Sequence, residues 1–214
     1  MPSQGSASDL GGLGDAARDQ LELTHRAREE ALARCRETIR ACGLAIRAVH
    51  RLVPGETRSR LAEAESSLRR AQELLEPFPS LAAAGFLHDA EKEYAEARLT
   101  AALVAGDPLP SAATVGVGLA AWLNGLAEAA SELRRHLLDR LRAGETEKSE
   151  SLLRAMEDVY DMLVTIEYPD AITGGLRRST DALRAVLERS RADVTTTVLQ
   201  EGLRRVLEER VQGC

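Results

Sequence analysis

The sequence predicts an all-α fold, a single-domain antiparallel bundle of about seven helices, and three observations carry that prediction. Aromatic residues make up only 3% of the 214, so a core must be built mainly from Leu, Ala, Val and Ile. Leu and Ala recur at helical spacing among many charged residues, with few β-branched runs, which leaves no strand a foothold. Pro and Gly punctuate the chain at helix-length intervals with short linkers, so successive helices pack antiparallel.

Residues 2–14, "PSQGSASDLGGLG", are rich in Gly and Ser and poor in apolar side chains, which predicts a disordered tail over residues 1–14 and a folded domain over 15–214. A first long helix runs from about Asp15 to Arg51 and stops at Pro54-Gly55. A second covers about Glu56 to Glu76, ended by Pro77 and Pro79. The third spans roughly Ser80 to Ala105, closed by "GDPLP". A fourth begins near Val117, carries Trp122, Leu126, Leu133, Leu137 and Leu141, and ends before Gly144. The fifth covers about Thr146 to Glu167 and is cut by Pro169. From Asp170 to Val211 there is room for one or two more: Gly174-Gly175 can interrupt, and Thr195-Thr196-Thr197 weakens helix preference without forbidding it.

The net charge is −6 with 28 Lys and Arg, so the whole chain lacks the basic signature of many nucleic-acid binders. Its cations are nearly all Arg, whose planar fork suits phosphate. Cys35, Cys42 and Cys214 are odd in number and without metal-ligand spacing, and two fall on an apolar helix face, so a reduced, cytoplasmic protein is expected. No run of 18 apolar residues and no signal-peptide pattern occurs, so no membrane association is expected.

The third helix holds "HDAEKEYAEARL". At about 100° per residue, Glu93 and Glu96 lie about 60° apart. Glu93 borders the apolar stripe of Phe86, Ala90, Tyr94, Ala97, Ala101 and Val104, and Glu96 is flanked by Leu99 and Leu103. His88, Asp89, Glu91 and Lys92 read as ordinary surface. In "WLNGLAEAASELRRH" of the fourth helix, Glu128 and Glu132 stand at i and i+4, opposite the Trp122/Leu126/Leu133/Leu137 side. Each pair alone is explained as the solvated face of an amphipathic helix. Facing one another, the two pairs would offer four oxygen ligands to Mg²⁺, or to Mn²⁺, and phosphodiester hydrolysis is the chemistry such a site implies. A di-iron bundle requires Glu-x-x-His twice, which is absent at these positions.

On the first helix, taken from Arg36, residues Arg40, Arg47 and Arg51 fall at about 40°, 20° and 60° and His50 at about −40°. These five share one side over about 22 Å, a track for several phosphates or, equally, a face for salt bridges to acidic neighbours. A second cluster, Arg177, Arg178, Arg184 and Arg191, is diluted by Asp181 and Glu188 and reads as intrahelical pairing. His25, His50, His88 and His136 have no ligand spacing among themselves, and neither a Gly-rich phosphate loop nor a G-x-S-x-G elbow occurs.

The segments "REEALARCRETIRACGLAIRAVHR", "HDAEKEYAEA", "WLNGLAEAASELRR" and "VYDMLVTIEYPDAITGGLRRSTDALRAVLERSRADVT" together resemble the translin family, in particular its archaeal Trax-like branch, over about residues 25–197. The resemblance implies an all-α fold of about seven helices, an octameric barrel and single-stranded RNA or DNA held inside. It also implies Mg²⁺-dependent endoribonuclease activity of the Trax kind, with the family's E-Y-x-E-A motif falling on Glu93, Tyr94, Glu96 and Ala97. The D-x-x-x-E motif falls on Glu128 and Glu132. The family's Asp is therefore Glu128 here, one methylene longer, which bears on a cation strict about geometry. Cys35 also stands where the family has Ser.

The leading expectation is a single-stranded nucleic-acid binder and Mg²⁺-dependent endoribonuclease. Glu93, Glu96, Glu128 and Glu132 serve as metal and catalytic residues, and Arg36, Arg40, Arg47, His50 and Arg51 contact the nucleic acid. It would act as a homo-octamer or with a translin-like subunit. Two alternatives stay open: a non-catalytic RNA- or DNA-binding module, and a helical scaffold for protein partners.

Overall fold

A computed structural model of the chain describes residues 7–212, and among these every regular element is a helix. Six are long: α1 (Ala7–His50), α2 (Pro54–Leu75), α4 (Phe86–Ala105), α6 (Leu119–Arg142), α7 (Thr146–Val164) and α9 (Leu176–Gln212). Three are single turns in the connections: α3 (Pro79–Ala82), α5 (Ala112–Val115) and α8 (Asp170–Thr173). The bundle expected from the sequence is therefore present, with the long helices at the anticipated places.

Two boundaries differ. The tail expected over residues 1–14 is helical from Ala7, while residues 1–6 lie outside the described part. A Gly- and Ser-rich composition signals that a segment cannot build a core. It does not prevent an existing helix from growing, because each added residue gains a hydrogen bond without a new nucleus and each Gly costs only about 1 kcal/mol. Accordingly, Leu10 and Leu13 are exposed there. The helix expected from Ser80 to Ala105 is divided, because Gly85 adopts φ +93° and separates α3 from α4. Gly174 and Gly175 also have positive φ and part α8 from α9, whereas the Thr195–Thr197 patch continues within α9.

Helices α1 and α2 form a hairpin onto which α4 packs, through Cys42, Ala45, Ala64, Leu68, Ala71, Ala90, Tyr94 and Ala97. On the far side of α4 lies α6, whose Leu126, Leu133 and Leu137 enter a second core shared with α7 and α9. Helix α6 is thus central and covered on two sides. Its second buried side carries Ala121, Gly125 and Ala129, residues too small to form a hydrophobic stripe in the sequence. Glu128 and Glu132 lie on this side and face α4 and the end of α1, each side chain about one third exposed.

Polar anchors hold the connections. Trp122 Nε1 donates to the Pro110 carbonyl at 2.9 Å. Asn124 donates to the Ala120 and Thr173 carbonyls and accepts from Ser179 Oγ at 2.7 Å, which ties the α8–α9 corner to α6. No described helix is long and apolar enough to cross a membrane.

Candidate functional site

Close helix packing creates the site. A Cβ built on Gly125 would lie 2.8 Å from Ala95 Cβ, from the Glu96 amide nitrogen and from the Lys92 carbonyl oxygen, so α6 touches the backbone of α4 at this level. One turn along α6, Glu128 meets Glu93 and Glu96: each offers one carboxylate oxygen, and the three oxygens lie within 4.8 Å of one another. Glu96 is only 9% exposed. Among the described residues none donates it a hydrogen bond; burial, then the charges of Glu128, Glu93 and Glu132, push its pKa up to about 8. A carboxylate that deep, unpaired and surrounded by other acids is held at a cost that a bound cation would relieve. The all-oxygen donor set fits a hard divalent ion such as Mg²⁺ or Mn²⁺.

The longer side chain at 128 reaches the cluster and is gripped there. Lys92 Nζ donates to both Glu128 carboxylate oxygens, at 2.7 and 2.8 Å, and lies 3.4 Å from Glu93 Oε1. Burial opposes the ammonium charge, but Glu128 and Glu93 outweigh it and raise the lysine's pKa. Lys92, read from sequence as surface, is therefore part of the site. Its position at i−4 from Glu96 and its rarity in an Arg-dominated chain were the available signals.

Glu132, the fourth expected ligand, is not among the three converging carboxylates. His50 Nε2 donates to Glu132 Oε2 at 2.7 Å, and His50 Nδ1 is 3.1 Å from His136 Nε2. A neutral ring that donates from Nε2 accepts at Nδ1, so His136 Nε2–H is the donor to His50. Burial, then the neighbouring His50, lowers the pKa of His136 and favours this neutral arrangement. The end of α1 and the middle of α6 are thereby joined by a His136–His50–Glu132 chain beside the carboxylates. It could not be read from spacing along the sequence, because His50 and His136 come from different helices.

His50 consequently does not stand with the arginines; its side chain is 5% exposed and turned inward. Arg36, Arg40 and Arg47 are exposed on α1, and none enters the ion pairs of the described residues. Arg51 is exposed too but is bonded to Glu56 at 2.7 Å. In the second cluster Arg184 and Arg191 pair with Asp181 and Glu157, so Arg191 reaches across to α7 rather than along its own helix. Cys35 and Cys42 are buried free thiols whose pKa values burial pushes up to about 11 and about 12, consistent with packing; Cys214 lies outside the described residues.

No family model matches the chain. It is 29% identical over 185 residues to an uncharacterized protein of Methanocaldococcus jannaschii, covering 84% of this chain and 82% of that protein. Among solved structures it is similar to AfC3PO, at 31% identity and TM-score 0.68 over 87% of this chain. It covers 96% of the AfC3PO chain in a complex with duplex RNA and 97% in a second crystal structure. Its fold is also similar to that of apo-NeC3PO, with a TM-score of 0.77 at 19% identity over 86% of this chain and 96% of that one.

Proposed function

The chain belongs to the translin/C3PO family, and from that membership we propose that it binds RNA and cleaves it with a divalent cation held by Glu93, Glu96 and Glu128. The observation that carries the catalytic half is the convergence of these three carboxylates around a buried, unpartnered Glu96. Duplex RNA bound to AfC3PO supports RNA as the partner class. Single-stranded RNA or DNA remains the substrate form proposed from the sequence.

A divalent cation bound here supplies charge neutralisation at a phosphodiester and activation of water. The chain's own contributions are distinct. Glu93, Glu96 and Glu128 bind the ion, and the contact at Gly125 fixes the distance between the helices that carry them. Glu132, oriented by His50, stands beside the cluster as an acceptor for a proton from water. Exposed Arg36, Arg40 and Arg47 supply positive charge for the phosphate backbone. Few aromatic residues are available for base stacking, so recognition is loose in sequence.

Assembly as a homo-octamer, or with a translin-like subunit, belongs to the same proposal. Leu199, Leu203 and Val206 share one side of the α9 extension, and Leu10, Leu13 and Leu21 one side of the α1 extension; all six are exposed and available for self-association.

The test incubates labelled single-stranded and duplex RNA with the protein in Mg²⁺ or in EDTA, alongside Glu96→Gln and Glu128→Ala. Cleavage that requires Mg²⁺ and both glutamates is expected. Cleavage that persists in EDTA, or in either variant, sinks the metal mechanism. RNA binding with no cleavage by the wild type leaves the binding module in its place, and no RNA binding at low salt favours the protein scaffold. Light scattering should give eight times the 23.2 kDa chain mass; a monomer defeats the octamer.

A further inference from the structure

Only two of the 28 cationic residues are lysines, and they are placed very differently. Lys148 is an exposed surface residue pairing with Glu145 on its own turn. Lys92 is inside the carboxylate cluster, its side chain 22% exposed, with three hydrogen-bond or ion-pair contacts to two of the three proposed ligands. A chain that uses arginine almost everywhere else has here a cation that behaves as a compact point charge.

Both oxygens of Glu128 are committed to Lys92. A divalent ion that draws a ligand from Glu128 must therefore bind an oxygen that already accepts from Lys92, which brings the two positive charges onto one carboxylate. Repulsion between those charges, in a site only partly open to water, sets the ammonium and the ion in competition. We propose that Lys92 is the resident cation of this cluster: its ammonium competes with a divalent ion for Glu128, stabilises the carboxylates when no ion is bound, and raises the ion concentration at which the site loads. The inference rests on the metal-binding reading above. It adds that loading the site is an exchange, in which Lys92 gives up Glu128 and swings aside while the three glutamates stay in place.

Mn²⁺ binding to the purified protein, without RNA, tests the exchange by calorimetry and by electron paramagnetic resonance at fixed pH. Lys92→Met keeps an unbranched side chain, one atom shorter, and removes its charge, and should bind Mn²⁺ roughly tenfold more tightly than wild type. Lys92→Arg keeps the charge and should not bind it more tightly. Equal or weaker binding by Lys92→Met overturns the competition while leaving the metal site standing. No Mn²⁺ binding by either wild type or Lys92→Met defeats both readings, and binding by Lys92→Met alone supports both.

A measurement on the unaltered chain covers the case in which Lys92→Met does not fold. With ¹³C-labelled lysine the protein gives two side-chain signals, and Lys148 is an internal control. Added Mg²⁺ should shift the Lys92 ε-carbon signal and leave that of Lys148 in place. A Lys92 signal that stays put while Mn²⁺ binds overturns the exchange.

Discussion

Gly125 and Lys92 touch through their backbones: a Cβ at 125 would come 2.8 Å from the Lys92 carbonyl oxygen. In an ordinary helix interior, Gly→Ala gains about 1 kcal/mol. At this position the added methyl meets α4 backbone, which cannot turn away as a side chain can, so the sign reverses. Gly125→Ala is expected to destabilise by about 1–3 kcal/mol, lowering Tm by roughly 2–4 °C for each kcal/mol. It should also weaken Mn²⁺ binding, since Glu128 moves away from Glu93 and Glu96. Thermal denaturation followed by circular dichroism checks the first effect and calorimetry the second. A raised Tm would show that the two helices are not in contact there.

That contact also marks the limit of what the sequence discloses. The long helices were legible because Leu and Ala recur at helical spacing and Pro and Gly end each run. Glu93 and Glu96 stand out in the sequence because carboxylates on apolar flanks are costly unless they are used, and Glu128 because it pairs with Glu132 at one-turn spacing and falls on the family's motif. Glu132 groups with Glu128 both by its i, i+4 spacing and by the resemblance to the family's D-x-x-x-E motif, and nothing local distinguishes it. Its separation depends on His50, 82 positions away in sequence. His50 in turn was placed with the arginines because its angle on α1 matched theirs, yet the stripe's edge lies against α6 and turns the imidazole inward. Lys92 was lost among the acids for the opposite reason: charge at the surface and charge inside a polar cluster leave the same mark on a sequence.

The His136–His50–Glu132 chain predicts a residue that acts through another. His50→Ala removes the donor that orients Glu132 and leaves that carboxylate free to rotate. Cleavage should fall roughly 10- to 100-fold, with RNA affinity unchanged because the arginines stay in place. His50→Gln, whose amide can donate to Glu132, should recover part of the rate. Single-turnover cleavage beside filter binding separates the two quantities. An equal fall in binding, or no recovery with Gln, would indicate that His50 only packs α1 against α6.

The Glu96 carboxyl predicts how stability follows pH when no metal is present. Its pKa rises on folding from 4.5 to about 8, so the folded chain keeps a proton that the unfolded chain has released. Stability from this group is therefore full below about pH 4.5 and declines as pH rises through 5 to 8. Glu96→Gln abolishes that dependence: in EDTA it should match wild type near pH 5 and exceed it by up to a few kcal/mol near pH 9. Urea unfolding at the two pH values gives the comparison. In the same way, a divalent ion bound at pH 7 must displace the proton, which calorimetry in buffers of different ionisation enthalpy detects as proton release.

Arg36, Arg40 and Arg47 predict a salt dependence. Each phosphate neutralised on a single strand contributes about −0.7 to the slope of log K against log salt. Replacing all three by Gln should therefore make the slope shallower by about 2 and weaken binding most at low salt. Arg51→Gln is the informative contrast. Because Arg51 is already bonded to Glu56, its charge is partly spent within the protein, and its loss should change the slope by less than any one of the other three. Filter binding of a single-stranded RNA from about 50 to 200 mM salt measures both. If the triple substitution leaves the slope untouched, the phosphates lie along another face of the chain, and the exposed arginines of α1 serve solubility alone.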